Sequence, residues 1–114
     1  MEFGGPAKQL RIFIGESDHW QHRSLADAIL EMLRSEGLAG ATVTRGLAGF
    51  GAHSRIHTAH ILRLSEDLPI VIEAIDVAER IEKVISKLQD MVQEGLVVVS
   101  DVEVILYRHR EPEA

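Results

Sequence analysis

Residues 68 to 92, LPIVIEAIDVAERIEKVISKLQDMV, contain a strand pattern followed directly by a helix pattern. Residues 68 to 75 form a run rich in β-branched types, which is typical of a strand. Asp76 and Glu79 then supply an acidic helix start, and we expect Gly95 to end the helix. The apolar residues of this segment recur at helical spacing and are Val77, Ala78, Ile81, Val84, Ile85, Leu88, Met91 and Val92.

A second strand and helix lie upstream. Residues 9 to 15, QLRIFIG, alternate with the period of two that indicates a strand. Ser24 is placed as the N-cap of a helix, and Asp27 three residues later forms an acidic variant of the capping box. We expect Gly37 to close this helix in the left-handed conformation. The residues that share its apolar face are Leu25, Ala28, Ile29, Met32 and Leu33.

Two more strands complete the pattern. Residues 41 to 48, ATVTRGLA, lead into a glycine-containing loop, and residues 96 to 107, LVVVSDVEVILY, form a last strand with Ser100 as a candidate break. The stretch from residue 58 to 64 suits either a short strand or a helical turn. The order βαββαβ predicts an α+β, ferredoxin-like domain with two helices on one face of an antiparallel four-stranded sheet. This scaffold hosts many unrelated functions, so activity must be argued from a site.

The composition limits the class of protein. The 114 residues fit one domain, which we expect over residues 9 to 108, between a flexible N-terminus of residues 1 to 8 and a polar tail of residues 109 to 114. The absence of cysteine excludes disulfides and thiolate chemistry. A net charge of −6 argues against nucleic-acid binding, which depends on cations at phosphates. No segment has the pattern of a signal peptide or a membrane span, so we expect a cytoplasmic protein.

Positive charge is concentrated in one segment. Residues 37 to 65 contain no Asp or Glu, but they include Arg45, Arg55 and Arg63. Within this segment, "RGLAGFGAHSRIHTAHILR" combines arginines, histidines and glycines. Arginine guanidinium groups bind phosphates and carboxylates, so the segment predicts a site for an anion.

The glycine loop supplies the candidate ligand-binding residues. Its glycines would leave the backbone free to turn and to present N–H groups to an anion, although a flexible hairpin uses the same residues. Arg55 has no acidic neighbour in sequence, and it would bind either a phosphate or an acid of another subunit. Phe50 would stack on a base or anchor the loop to the core. The full candidate set is Arg45, Gly46, Gly49, Phe50, Gly51, His53, Arg55, His57 and Thr58.

Three histidines raise an alternative. His53, His57 and His60 have the spacing i, i+4, i+7, which would align their imidazoles on one helical face as ligands for zinc or copper. The other interpretation is that they form hydrogen bonds in a polar loop. Glu16 and Asp18, after the first strand, would either hold a ligand hydroxyl or cap the turn.

Features of catalysis are missing from the sequence. No nucleophile and base occur in a recognisable frame, and the glycine loop does not match a Walker or dinucleotide-binding fingerprint. We therefore predict that the protein is not an enzyme.

The segments "RIFIGESD", "GLAGATVTRGLAGFGAHSRIHTA" and "LRLSEDLPIVIEAID" closely resemble the family called domain of unknown function 190. That family belongs to the PII-like signalling superfamily, which also includes CutA, and the resemblance covers residues 9 to 108. It implies a ferredoxin-like protomer in a homotrimer, with the glycine loop corresponding to the T-loop of PII proteins. It also implies small ligands, often adenine nucleotides, at clefts between subunits, and a partner such as a membrane transporter or an enzyme.

The chain departs from ATP-binding PII proteins at one place. Those proteins carry a phosphate loop with glycine and lysine before the last strand, where this chain has "MVQEGLVVVSDVEV". A phosphate contact would then come from Arg45, Arg55 or Arg63. The leading hypothesis is a PII-like trimeric regulator that binds a small anionic ligand, with an adenine nucleotide as its candidate. The alternatives are a CutA-like metal-binding trimer that uses the loop histidines and a purely structural trimer.

Overall fold

The computed structural model describes residues 2–50, 57–58 and 67–110. These described residues form two helices and eight strands, four of which make up the main sheet. In chain order the elements are β1 (Glu2–Gly15), β2 (His19–Trp20), β3 (Arg23–Ser24), α1 (Leu25–Ser35), β4 (Thr42–Arg45), β5 (Ala48–Gly49), β6 (His57–Thr58), β7 (Pro69–Asp76), α2 (Ala78–Met91) and β8 (Leu96–Arg108).

The main sheet is antiparallel throughout and has the strand order β4-β7-β1-β8. Strands β2 and β3 form a separate two-stranded ladder, as do β5 and β6. The predicted α+β arrangement with a four-stranded antiparallel sheet and two helices is confirmed.

The core lies between the sheet and the two helices. Alternate residues of β1 and β7 are buried, as the period of two predicts, because they face the apolar sides of α1 and α2. The fully buried large side chains of this core are Leu10, Ile12, Ile29, Leu33, Ile72, Ile81, Val84 and Leu88.

Helix α1 begins and ends as its sequence predicts. Ser24 is the N-cap, and its Oγ accepts a hydrogen bond from Asp27 N at 3.2 Å. Gly37 has a φ of +85°, which a residue with a side chain rarely adopts. Its N–H donates to Arg34 O, and the next amide donates to Leu33 O, so the last carbonyls of the helix are satisfied.

Helix α2 differs from the prediction at both ends. Val77, not Asp76, is the N-cap, and it has no side-chain cap bond. Asp76 is instead completely buried at the end of β7, where it binds backbone N–H groups. The helix ends at Met91, before Gly95, which has a φ of +150°. A Cβ at Gly95 would lie 2.7 Å from the carbonyl oxygen of Phe13, so this glycine permits close approach to β1.

Strand bounds also differ from the predictions. β1 begins at Glu2, so residues 2 to 8, for which we expected a flexible segment, are strand and pair with β8. β8 continues without a break through Ser100. β4 ends at Arg45, three residues before the predicted end, because the chain then leaves the sheet to form β5. The predicted strand of residues 68 to 75 is found as β7.

Among the described residues, no helix or second sheet packs on the sheet face opposite α1 and α2. Its apolar side chains include Phe13 on β1, Val71 and Ile75 on β7, and Leu96 and Val98 on β8. Arg11 and Glu73 pair across the same face, with Nε of the arginine 3.5 Å from Oε2 of the glutamate. The Arg11 guanidinium also lies 5.1 Å from the centroid of the Phe13 ring. Within the described residues, no helix is long and apolar enough to cross a membrane.

Candidate functional site

The glycine loop leaves the sheet at a junction of three chain segments. Here β1 ends at Gly15, β4 ends at Arg45 and β7 begins at Pro69. The amide of Gly46 donates to Pro69 O at 2.7 Å, and the amide of Glu16 donates to Leu68 O at 2.9 Å. These two bonds hold both neighbouring segments against the start of β7, so the residues at the base of the loop have fixed backbones.

Arg45 is the cation at this junction. Its Nε lies 2.8 Å from Oε2 of Glu16, while its side chain remains 56% exposed and that of Glu16 34% exposed. The pair joins the end of β4 to the residue that follows β1. An arginine carries five N–H donors, so a contact through Nε leaves other N–H groups that can donate to a further anion. The Arg45 guanidinium can therefore present N–H donors to solvent.

The two glycines nearest Arg45 have a packing role. A Cβ at Gly46 would lie 2.7 Å from Cγ of Pro69, and one at Gly49 would lie 3.0 Å from the same atom. Neither glycine has a positive φ. Their small size allows the loop base to lie on the Pro69 ring, whereas the sequence pattern predicted that they let the backbone turn freely.

The β5–β6 ladder brings later loop residues back to the base. Gly49 is opposite His57 and Ala48 is opposite Thr58 in this antiparallel pair. The backbones of His57 and Thr58 thus lie beside the predicted glycine segment. Phe50 follows β5 and is 72% exposed, so it does not anchor the loop to the core. Its exposed ring is suited to stacking on a flat ligand.

The remaining candidates lie outside the described residues. They are Gly51, His53 and Arg55 of the ligand set, Arg63 of the predicted phosphate contacts, and His60 of the metal alternative. Among the described residues, no group of three or more His, Asp or Glu side chains is arranged to hold a metal ion.

Two carboxylates at the junction accept hydrogen bonds from backbone amides. Oδ2 of Asp18 accepts a hydrogen bond from Gly15 N at 2.9 Å, which supports the capping interpretation of Asp18. Oδ1 of Asp67 accepts from Ser17 N at 3.2 Å. Sequence reasoning did not assign Asp67 to this junction, nor did it pair Glu16 with Arg45. Both contacts join residues that are distant in sequence, so only the strand order of the sheet reveals them.

A separate cleft lies elsewhere on the molecule. It has a volume of about 640 Å³ and is bordered by α1 and by residues 38 to 41, which precede β4. Arg23 and Glu31 line it and form an ion pair at 2.9 Å. The hydrogen bond from Arg23, together with its charge, holds the pKa of the Glu31 carboxyl below its ordinary value. Since Arg45 is at the opposite end of β4, this cleft is separate from the loop base.

Comparison with known proteins agrees with this architecture. The chain is 35% identical over 99 residues to a UPF0166 protein of Methanocaldococcus jannaschii, covering 86% of this chain and 91% of that protein. A solved structure of CPII from Thiomonas intermedia, bound to ADP and bicarbonate, superposes with a TM-score of 0.65 at 24% identity, over 91% of each chain. The divalent ion tolerance protein CutA1 of Ehrlichia chaffeensis superposes with a TM-score of 0.58 at 12% identity, over 86% of this chain and 82% of that one.

The family model DUF190, described as an uncharacterized ACR, matches residues 7–104. This match covers both helices, strands β4 and β7, and most of strands β1 and β8. The chain therefore belongs to the DUF190 (UPF0166) family and has a PII-like, ferredoxin-type fold.

Proposed function

We propose that this protein is a PII-like regulator that senses a small anionic ligand, with an adenine nucleotide as the ligand, at the base of its glycine loop. The observation that carries the proposal is the position of Arg45, a half-exposed cation fixed where the acid-free loop leaves the sheet. A guanidinium in this position suits a phosphate, and the exposed ring of Phe50 suits a base.

A related fold supports this choice of ligand. The CPII structure with ADP and bicarbonate shares the architecture of this chain over nine-tenths of its length. At 24% identity the likeness concerns the fold, so the ligand is carried over as a proposal. The phosphate contacts in this chain are assigned to Arg45 and Arg55.

The protein acts as a homotrimer in this proposal. The sheet face opposite the helices leaves Ile75 42% exposed and Leu96 55% exposed, and a second subunit would remove this apolar surface from water. The ligand then lies at a cleft between subunits that is bordered by residues 49 to 58. The trimeric number comes from the resemblance to PII proteins.

The signalling step is a change in the loop. A ligand that binds one arrangement of residues 46 to 58 more tightly than another shifts the population toward that arrangement. The new loop surface then engages or releases a partner in the cytoplasm, such as a membrane transporter or an enzyme. No catalytic step is required of the protein itself.

The test is a titration calorimetry and thermal-shift panel with ADP, AMP, ATP, bicarbonate and Zn²⁺. Wild type is compared with Arg45→Ala and Arg55→Ala, and with Arg34→Ala as a control on α1. A nucleotide at 100 times its Kd is expected to add about 2.7 kcal/mol of stability per site. A weaker nucleotide response in the two loop variants, but not in Arg34→Ala, supports the proposal. A response to Zn²⁺ alone contradicts it in favour of the loop histidines.

A further inference from the structure

We propose that Glu16 is a built-in competitor for Arg45, so that an anionic ligand must displace this carboxylate in order to bind. The inference rests on the proposed function, since it concerns the affinity of the same site. It assigns a regulatory role to a residue that follows β1 and lies outside the glycine loop.

The geometry allows the side chains to part while the backbone stays in place. The Glu16 amide is bonded to Leu68 O at 2.9 Å, and the amide after Arg45 is bonded to Pro69 O at 2.7 Å. Arg45 itself is paired with Ile70 in the β4–β7 ladder. The 2.8 Å contact between Glu16 and Arg45 therefore connects two anchored strand ends, and its rupture needs only side-chain rotation.

The exposure of the pair makes the exchange feasible. Solvent reaches both side chains, so the attraction between them is screened and weak compared with that of a buried pair. A phosphate carries more negative charge than one carboxylate and offers more acceptor oxygens to the guanidinium. Arg45 can thus leave Glu16 for a phosphate at modest cost.

The neighbouring acids have other partners. Asp18 accepts the Gly15 amide and Asp67 accepts the Ser17 amide, and these bonds shape the turn after β1. Glu16 is the described carboxylate that is paired with Arg45. Its charge also repels an arriving anion, so Glu16 opposes binding both by occupying Arg45 and by its field.

In this proposal the ion pair between Glu16 and Arg45 sets a minimum ligand charge for binding at the junction. With Glu16 in place, weakly charged anions do not displace the carboxylate, whereas a di- or triphosphate group does. Removal of the Glu16 charge should therefore tighten binding in general and reduce the preference for ligands with more phosphates.

The test uses the full-length protein and titration calorimetry with ADP and AMP. Glu16→Gln is expected to bind ADP about two- to fivefold more tightly than wild type, which is the range of a weak exposed ion pair. In Glu16→Gln the ratio of the affinity for AMP to the affinity for ADP should move toward one. Glu103→Gln is the matched control, because Glu103 pairs with Pro6 at the far end of β1 and the substitution removes the same charge.

A double-mutant cycle separates competition from a general charge effect. If Glu16 acts by occupying Arg45, most of the gain from Glu16→Gln disappears in an Arg45→Ala background. An equal gain in both backgrounds, or unchanged ADP affinity in Glu16→Gln, overturns the inference but leaves nucleotide sensing intact. If neither wild type nor Glu16→Gln binds a nucleotide, the proposed function fails and the inference fails with it.

Discussion

The carboxylate of Asp76 accepts a hydrogen bond from the backbone amide of Ala39 through Oδ2 at 2.8 Å, and this bond connects the end of β7 to the segment that leads into β4. The other carboxylate oxygen accepts from Val77 N at 2.7 Å. Asp76 is completely buried, and Nη1 of Arg80 lies 3.4 Å from Oδ1. One side chain thus satisfies two separate backbone donors.

We expect Asp76→Asn to lower the free energy of unfolding by about 1–3 kcal/mol, because the new amide nitrogen cannot accept one of these bonds. Urea denaturation measures the loss, and the Ala39 amide should exchange faster with solvent. Asp90→Asn, an equivalent change on the exposed side of α2, should alter stability by less than about 0.5 kcal/mol. Equal effects of the two substitutions would contradict the structural role of Asp76.

Gly46→Ala tests the packing at the loop base. The added methyl group would lie 2.7 Å from Cγ of Pro69, and the proline ring is rigid, so we expect a loss of about 1–3 kcal/mol in thermal or urea unfolding. Gly40 has open space around its Cβ position and no positive φ, so Gly40→Ala should be neutral or stabilising by up to about 1 kcal/mol. Partial recovery in the double variant Gly46→Ala with Pro69→Ala would identify Pro69 as the obstacle.

Ser24→Ala removes the N-cap hydrogen bond of α1. The expected cost is about 1 kcal/mol in the free energy of unfolding, since the amide of Asp27 loses the Oγ acceptor. Ser86→Ala in the interior of α2 is the control, because alanine has the higher helix propensity there. A loss of stability in Ser86→Ala as large as that in Ser24→Ala would argue against the cap.

Val98→Lys tests the proposed homotrimer. Val98 lies opposite Arg11 on the uncovered sheet face, so the substitution adds a second cation where the proposal requires contact between subunits. Sedimentation analysis should show dissociation of the trimer, while Gln89→Lys on the exposed side of α2 should leave the mass unchanged. A Val98→Lys protein that keeps the wild-type mass would exclude this face as the interface.

Glu31 provides a pH test. The hydrogen bond and charge of Arg23 lower the pKa of this carboxyl in the folded state below its ordinary value of 4.5. The pair therefore favours folding above the unfolded pKa, and this contribution is lost as the pH falls through the lower, folded pKa. An NMR titration should give a midpoint below 4.5 in wild type and a higher one in Arg23→Gln. Equal midpoints in the two proteins would show that Arg23 is not the cause.

Local patterns were sufficient to predict the sheet and the helices. The alternation in residues 9 to 15 and the apolar spacing in α2 each correspond to a side of an element that is buried in the structure. The extension of β1 back to Glu2 was missed because residues 2 to 7 include two glycines and a proline, and they become strand by pairing with β8. That pairing is a tertiary effect that overrides propensity.

The site was predicted less completely than the fold. Arg45 was identified from the local absence of acids, but its contact with Glu16 joins positions 29 residues apart in sequence and depends on strand order. Gly46 and Gly49 were predicted to give the loop backbone conformational freedom, whereas in the structure their small size permits contact with Pro69. The sequence pattern does not reveal this contact, because Pro69 is distant in sequence.

The hydrogen bond between Gly46 N and Pro69 O holds the two ends of the intervening chain, which leaves the sheet after β4 and rejoins it at β7, next to each other. Because the span is closed at its base, lengthening it costs the fold little, with each doubling of a flexible loop adding about 0.6 kcal/mol of closure entropy. We therefore expect a change in the length of this span to alter the free energy of unfolding less than a large-to-small substitution in the core does.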